Sequence, residues 1–161
     1  MKAKGFGPPP QMKAKGSGPP PQMKAKGSGP PPQMKGFMRI IGLGVDLAEV
    51  GRVEQLLGKY PRFAERVFTE NERNYAARFA NPARRYAARF AGKEAVMKSL
   101  GTGWRRLRWT EIEITGGGPP RVRLSGNAAA RANQLGVTEV LVTITHTEDT
   151  ALVMAVAVGE Y

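Results

Sequence analysis

An eleven-residue unit stands three times in succession at the start of this chain, MKAKGFGPPPQ and then MKAKGSGPPPQ twice, followed by a truncated MKGF that ends at Phe37. No fold can be built from it. Proline triplets favour polyproline II, the flanking glycines add chain entropy, and Met and two Phe are the only large apolar groups, so no buried core offsets the cost of ordering. Residues 1–37 are therefore expected to form a disordered low-complexity tail, and everything that folds must come from 38–161. The tail also distorts the charge balance. It carries seven lysines and no acid out of a net +12, leaving 18 basic and 13 acidic side chains, or +5, in the rest. A repeated basic arm could touch RNA, a membrane or an acidic partner. The preferred reading is an incidental extension, because each unit begins with Met and Met38 begins an orderly strand pattern, as though a tandem DNA repeat ahead of the true start had been translated.

The remaining segment suits one domain of ordinary size and is short for two. With no cysteine in the chain, a disulfide scaffold, a cysteine nucleophile and a thiolate zinc site are excluded, and a cytoplasmic location is expected. The longest apolar run, Ala151 to Val158, is eight residues, well short of the roughly 20 that span a bilayer. Periodicity predicts a strand at Arg39–Val45, with Gly42 and Gly44 permitting close approach of a neighbour or ligand, and a helix at Val50–Tyr60 broken by Pro61. The helical pattern resumes at Phe63–Phe68. Thr69 with Glu72 signals a capping box for a helix near 70–80 that Pro82 should end. The strongest helix is Arg84–Leu100, with an apolar stripe of Tyr86, Phe90, Val96, Met97 and Leu100 and a stop at Gly101. Strands follow at Glu111–Thr115 and Arg121–Leu124 around a GGGPP turn, then a helix at Gly126–Leu135 capped by Ser125, then strands at Glu139–Thr145 and Ala151–Val158. The fold class is α+β, an antiparallel sheet packed against helices. The hexapeptide YAARFA occurs at both 75–80 and 86–91, and Pro82 between the copies argues against one unbroken helix.

Ionisable groups stand in several places where apolar residues would be expected. Asp46 ends the first strand, where a carboxylate is either a cap for the next helix or a ligand facing a cleft. Glu94 and Lys98 are four apart on the strongest helix. They read as an exposed ion pair or, alternatively, as groups in which Glu94 joins Asp46 on a hard cation while Lys98 serves phosphate. Leu100 to Gly103 would offer backbone N–H groups to an anion. The single histidine, His146, closes a strand among Thr143, Thr145 and Thr147. Arg52, Lys59, Arg62 and Arg66 fall close to one helical face across 50–67, a one-sign stripe that would speed association with an acidic protein or nucleic acid.

Taken in order, Gly44-x-Asp46-x-x-Glu49-x-x-Arg52, then RFAGKEAVMKSLGTG from Arg89 to Gly103, then VTITHT from Val142 to Thr147 closely resemble the holo-(acyl carrier protein) synthase family, the short type of 4′-phosphopantetheinyl transferase. The resemblance covers 38–161. It implies a phosphopantetheinyl transferase domain that moves the phosphopantetheine arm of coenzyme A to a serine of apo-acyl carrier protein and releases adenosine 3′,5′-bisphosphate. Asp46 and Glu94 would bind Mg²⁺, and Lys98 would sit on the phosphates. Arg89, Gly101, Gly103, Thr145 and His146 would surround coenzyme A, and the stripe of Arg52, Lys59, Arg62 and Arg66 would dock the acidic carrier. The family implies a homotrimer with sites at subunit interfaces, and neither a membrane nor a nucleic-acid partner. Two other readings are a longer transferase type, which needs two fused copies where one is present, and a basic non-enzymatic module binding nucleic acid.

Overall fold

The structure, a computed structural model, describes residues 36–103 and 105–160. The expectation of a disordered tail falls on 1–37, all but the last two of which lie outside the described residues. Among these residues, five strands and five α-helices follow in the order β1 (Met38–Glu49), α1 (Val50–Lys59), α2 (Phe63–Val67), α3 (Glu70–Ala76), α4 (Pro82–Ser99), β2 (Ile112–Ile114), β3 (Val122–Leu124), α5 (Gly126–Leu135), β4 (Glu139–His146) and β5 (Thr150–Glu160), with a short 3-10 turn at Trp109–Glu111 before β2. The chain is α+β. Its antiparallel strands divide into a three-stranded sheet, β1-β5-β4, and a β2-β3 hairpin.

Alternation along the strands gives the large sheet two unlike faces. Gly44, Asp46 and Ala48 of β1 and Ala151, Val153, Ala155 and Ala157 of β5 point inward. The outward face runs in cross-strand rows, Leu43 with Val156 and Leu141, Val45 with Met154 and Thr143, Leu47 with Leu152 and Thr145. Leu43, Val45, Leu47, Leu141, Leu152 and Met154 are all exposed there.

Helix α4 lies against the inner face at unusually short range. A Cβ on Gly44 would stand 1.9 Å from the Ala95 carbonyl oxygen, and one on Gly42 would stand 2.0 Å from that of Ser99. The expected close approach at these glycines is therefore made by a helix. The far side of α4 meets the hairpin, where Gly92 leaves room for Ile114. Helix α4 is thus enclosed on both sides, which explains why its buried residues are mostly small: Ala83, Ala87, Ala88, Ala91, Gly92 and Ala95 accompany Val96 and Met97. The expected stripe is corrected accordingly, since Tyr86 and Phe90 only border the core.

Two local expectations change, and a third is borne out. Pro82 opens α4 instead of ending α3: it occupies the first turn, where a missing N–H costs nothing, and Asn81 accepts the Arg84 N–H at 3.4 Å as cap. Ser125 stands at the N-cap of α5, yet its hydroxyl donates to the Glu111 carbonyl oxygen at 3.4 Å and leaves the helix uncapped by a side chain. The two YAARFA copies do not share a conformation. The first closes α3 and turns, while the second is the middle of α4. They pack on each other through Arg89 over the Tyr75 ring at 4.3 Å, and Arg85, just before the second copy, lies over Phe79 at 4.1 Å. The capping box on α3 forms as read, Glu72 N–H donating to the Thr69 hydroxyl and Thr69 N–H to Glu72.

Candidate active site

Where β1 runs into α1 beside the C-terminal half of α4, a cleft of about 390 Å³ opens. Asp46, Glu49, Arg52, Phe90, Glu94 and Lys98 are among its walls. Helix α1 starts at Val50 with Glu49 as the residue before it, so Asp46 is three residues too early to be a cap. It faces the cleft. Glu94 and Lys98 reach the same cleft because positions four apart share a helix face.

The ion pair differs from the one the spacing suggests. Lys98 Nζ donates to Asp46 Oδ1 at 2.8 Å and to the Val45 carbonyl oxygen at 2.9 Å, bridging helix and strand instead of folding back onto Glu94. Glu94 has no hydrogen-bond donor among the described residues. Burial first, and then the charge of Asp46, hold its carboxyl above the usual range, with Lys98 pulling the other way. A divalent cation would relieve that strain. Two carboxylates suit Mg²⁺, which keeps several waters and takes the rest of its ligands from phosphate oxygens. No cluster of three or more acidic or histidine ligands that could hold a metal exists among the described residues, so Asp46 and Glu94 would offer a pair of carboxylates and no closed cage.

Of the other expected residues, Arg52 is a wall of the cleft, and the rest are not among its lining residues within one chain. Arg89 is buried, stacked on Tyr75 and donating to the Arg85 carbonyl oxygen at 3.3 Å, and burial lowers its pKa against the pull of Glu72. A polar hollow of about 400 Å³ beside it is lined by Tyr75, Arg78, Thr115, Gly116 and Arg123. The Gly101–Gly103 loop does not present all its amides outward. The N–H groups of Gly101 and Thr102 are spent on the Lys98 and Met97 carbonyls that close α4, with Gly101 at φ +63°. That corrects the view of an open anion cradle. Thr145 and His146, though adjacent, point to opposite faces of β4: Thr145 shares the outer apolar row with Leu47, and His146 is in register with Ala151, two strands from Ala48. The basic stripe is also interrupted. Arg52 and Lys59 lie on α1, Arg62 precedes α2 and Arg66 is within it, with the turn at Tyr60–Arg62 between them. All four remain exposed, and Arg62 and Arg66 flank a shallow apolar hollow of Tyr60, Pro61 and Phe63.

A second charged pair on α4 was missed in the sequence. Lys93 is fully buried with its Nζ 2.7 Å from Glu72 Oε2. Its other protons go to the Trp109 carbonyl oxygen at 2.9 Å and to that of Ile112. Glu72 Oε1 accepts the Ile114 N–H at 2.8 Å. The signal was there: Lys93 falls three residues from both Phe90 and Val96, so a cation stands on the apolar stripe.

The family model described as the 4′-phosphopantetheinyl transferase superfamily matches residues 42–156. The chain belongs to this superfamily. A holo-[acyl-carrier-protein] synthase of Caldanaerobacter subterraneus is 44% identical over 121 residues, 74% of this chain and 95% of that relative. Among solved structures, the holo-(acyl-carrier-protein) synthase of Bacillus anthracis in complex with CoA (3′,5′-ADP) has 32% identity and a TM-score of 0.62, covering 76% of this chain and 99% of that one. The holo-[acyl-carrier-protein] synthase of Neisseria meningitidis has 30% identity and a TM-score of 0.68 over 74% of this chain and 98% of the other. As a member of the superfamily, the chain is a transferase. Among the described residues, no helix is long and apolar enough to cross a membrane.

Proposed function

We propose that this chain is a cytoplasmic holo-(acyl carrier protein) synthase that serves fatty acid biosynthesis, with residues 38–161 as its transferase domain. It moves 4′-phosphopantetheine from coenzyme A to a serine of apo-acyl carrier protein. The observation that carries the reading is the cleft in which Asp46, Glu94 and Lys98 converge from the last residues of β1 and one helix face, Asp46 standing three residues before the strand ends.

In this reaction the serine oxygen attacks the phosphorus that bears the pantetheine arm. The bond from that phosphorus to the bridging oxygen of the pyrophosphate breaks, adenosine 3′,5′-bisphosphate leaves with the bridging oxygen, and the serine proton is released. Phosphoryl transfer of this kind needs positioning and charge neutralisation more than a strong side-chain nucleophile. Asp46 and Glu94 would hold Mg²⁺, which when bound supplies positive charge to the pyrophosphate oxygens. Lys98 already stands at Asp46 Oδ1 and is half exposed, so its ammonium can turn from the carboxylate to a phosphate oxygen. Arg52 reaches from α1 into the same cleft and joins it to the basic surface of Lys59, Arg62 and Arg66, on which an acidic carrier would dock.

The residues expected around coenzyme A do not all surround this cleft in one chain, and the outer sheet face supports an explanation. Its apolar rows are what a homotrimer would bury, and Thr145 lies in one of them beside Leu152. A neighbouring copy would then bring Thr145 and His146 toward a cleft that is not their own, while Gly101–Gly103 and, from its buried place on Tyr75, Arg89 would serve the nucleotide. The test is incubation with coenzyme A, Mg²⁺ and an apo-acyl carrier protein, read by mass spectrometry of the carrier. Addition of one phosphopantetheine is expected; no addition, where a control synthase succeeds, overturns the reading.

A further inference from the structure

On the Asp46 cleft and the transferase reading of it, we propose that the buried Glu72–Lys93 pair is the positioning element of the site, fixing the rotation and height of α4 so that Glu94 and Lys98 meet Asp46. Lys93 directly precedes Glu94. On a helix, consecutive residues point about 100° apart, so a rotation that moved one ammonium would swing the neighbouring carboxylate by the same angle.

The surface of α4 makes such an element necessary. The buried face is largely alanine and glycine, and small side chains give few knobs to lock a helix at one axial height. The Lys93 ammonium supplies direction instead. Its three protons engage Glu72 Oε2 and the carbonyls of Trp109 and Ile112, so each donor has a fixed partner on α3, the turn just before β2, or β2. Glu72 in turn ties the start of α3, through the Thr69 N–H at 2.9 Å, to β2 through the Ile114 N–H. Both residues are therefore fully occupied inside the protein, with no atom left to touch a substrate.

A second link runs from the same ammonium to the cleft wall. Trp109, whose carbonyl Lys93 holds, stacks its ring on Phe90 at 4.8 Å, and Phe90 lines the cleft one turn before Glu94. A buried ion pair is a poor choice for stability alone, because apolar residues of similar volume often serve as well. What it offers here is a single geometry, and reacting groups displaced by about 1 Å can lose a hundredfold in rate.

The experiment compares the full chain with Glu72→Gln/Lys93→Gln, which keeps hydrogen-bonding groups but shortens the cation's reach and removes both charges. Circular dichroism and thermal unfolding identify folded protein; should the double variant not fold, Glu72→Gln alone carries the comparison. The expected result is a fall in kcat of about 10–100-fold with an unchanged KM for the carrier protein, and weakening of Mn²⁺ binding, read by electron paramagnetic resonance, of about tenfold. A folded variant with the kcat and Mn²⁺ affinity of the parent overturns the proposal. If the parent binds Mn²⁺ but never modifies a carrier, the transferase reading fails on its own, and the Mn²⁺ comparison still decides this one.

Discussion

Helix α4 carries two lysine–carboxylate pairs five residues apart, made at nearly the same distance and in opposite surroundings. Lys93 and Glu72 meet at 2.7 Å with side chains 0% and 1% exposed, while Lys98 and Asp46 meet at 2.8 Å with side chains 50% and 20% exposed. Distance therefore says little about what a pair does. The buried pair has surrendered its hydration and depends on every remaining hydrogen bond, so losing one partner strands an ion in the core. The exposed pair is screened by water and contributes little to stability. That is what frees it for chemistry, since Lys98 can leave Asp46 for a phosphate without loosening the fold.

The sharpest way to break this contrast is to truncate the two lysines in parallel. Lys93→Met leaves Glu72 buried and unpaired and is expected to cost about 3–5 kcal/mol, a fall in Tm of roughly 10–20 °C. Lys98→Met is expected to cost less than about 1 kcal/mol. Urea and thermal unfolding of both variants measure the difference; equal losses would mean that burial does not separate the pairs.

Activity should invert the order among folded proteins. Lys98→Met and Glu94→Gln are each expected to lower kcat for phosphopantetheine transfer by about 10²–10³-fold, equivalent to about 2.7–4 kcal/mol, while unfolding midpoints stay near that of the parent. A Lys98→Met enzyme with kcat within threefold of the parent would remove Lys98 from the chemistry.

The surface that α4 rests on gives a third comparison, between two glycines. Gly44→Ala drives a methyl group into the Ala95 carbonyl, and the backbone must move to admit it, at a cost of about 1–3 kcal/mol. In α1, Gly51 has nothing within 4 Å of an added Cβ, so Gly51→Ala should stabilise the helix by up to about 1 kcal/mol. Shifts of the same sign for the two would show that the strand does not hold the helix at backbone contact.

How much of this was legible in the sequence follows the same division between local and distant causes. The capping box at Thr69, the helix stop at Gly101 and the paired strands at the end depend on neighbours in sequence, and all appear where the pattern placed them. Asp46, Glu94 and Lys98 were named from spacing and resemblance, and they share one cleft because α4 lies directly on β1 at Gly42 and Gly44. What stayed hidden needed partners far along the chain. The partners of Lys93 are at 72, 109 and 112, out of reach of any local pattern. The two YAARFA copies are identical and yet differ in structure because Asn81 and Pro82 begin a helix before the second, whereas nothing extends the first. The amides of Gly101 and Thr102 looked free until the end of α4 claimed them.

The smallest effect concerns Glu94. Burial and the Asp46 charge raise the folded pKa of Glu94 above its value in the unfolded chain, so the folded state binds its proton more tightly than the unfolded state does. The stability this gives is fully present below the unfolded pKa and is lost as pH rises through the folded pKa. At neutral pH, with metal chelated, the ionised carboxylate is thus a net cost to the fold. Glu94→Gln removes that ionisation while preserving shape, so its Tm should match the parent at acid pH and rise modestly above it as pH increases toward neutrality. Parallel melts in chelator from pH 4 to pH 8 test the sign. A gap that stays constant or reverses would show that Glu94 is held as comfortably as an ordinary surface carboxylate, and the difference between a residue kept for stability and one kept at its expense would then rest on Lys93 and Lys98 alone.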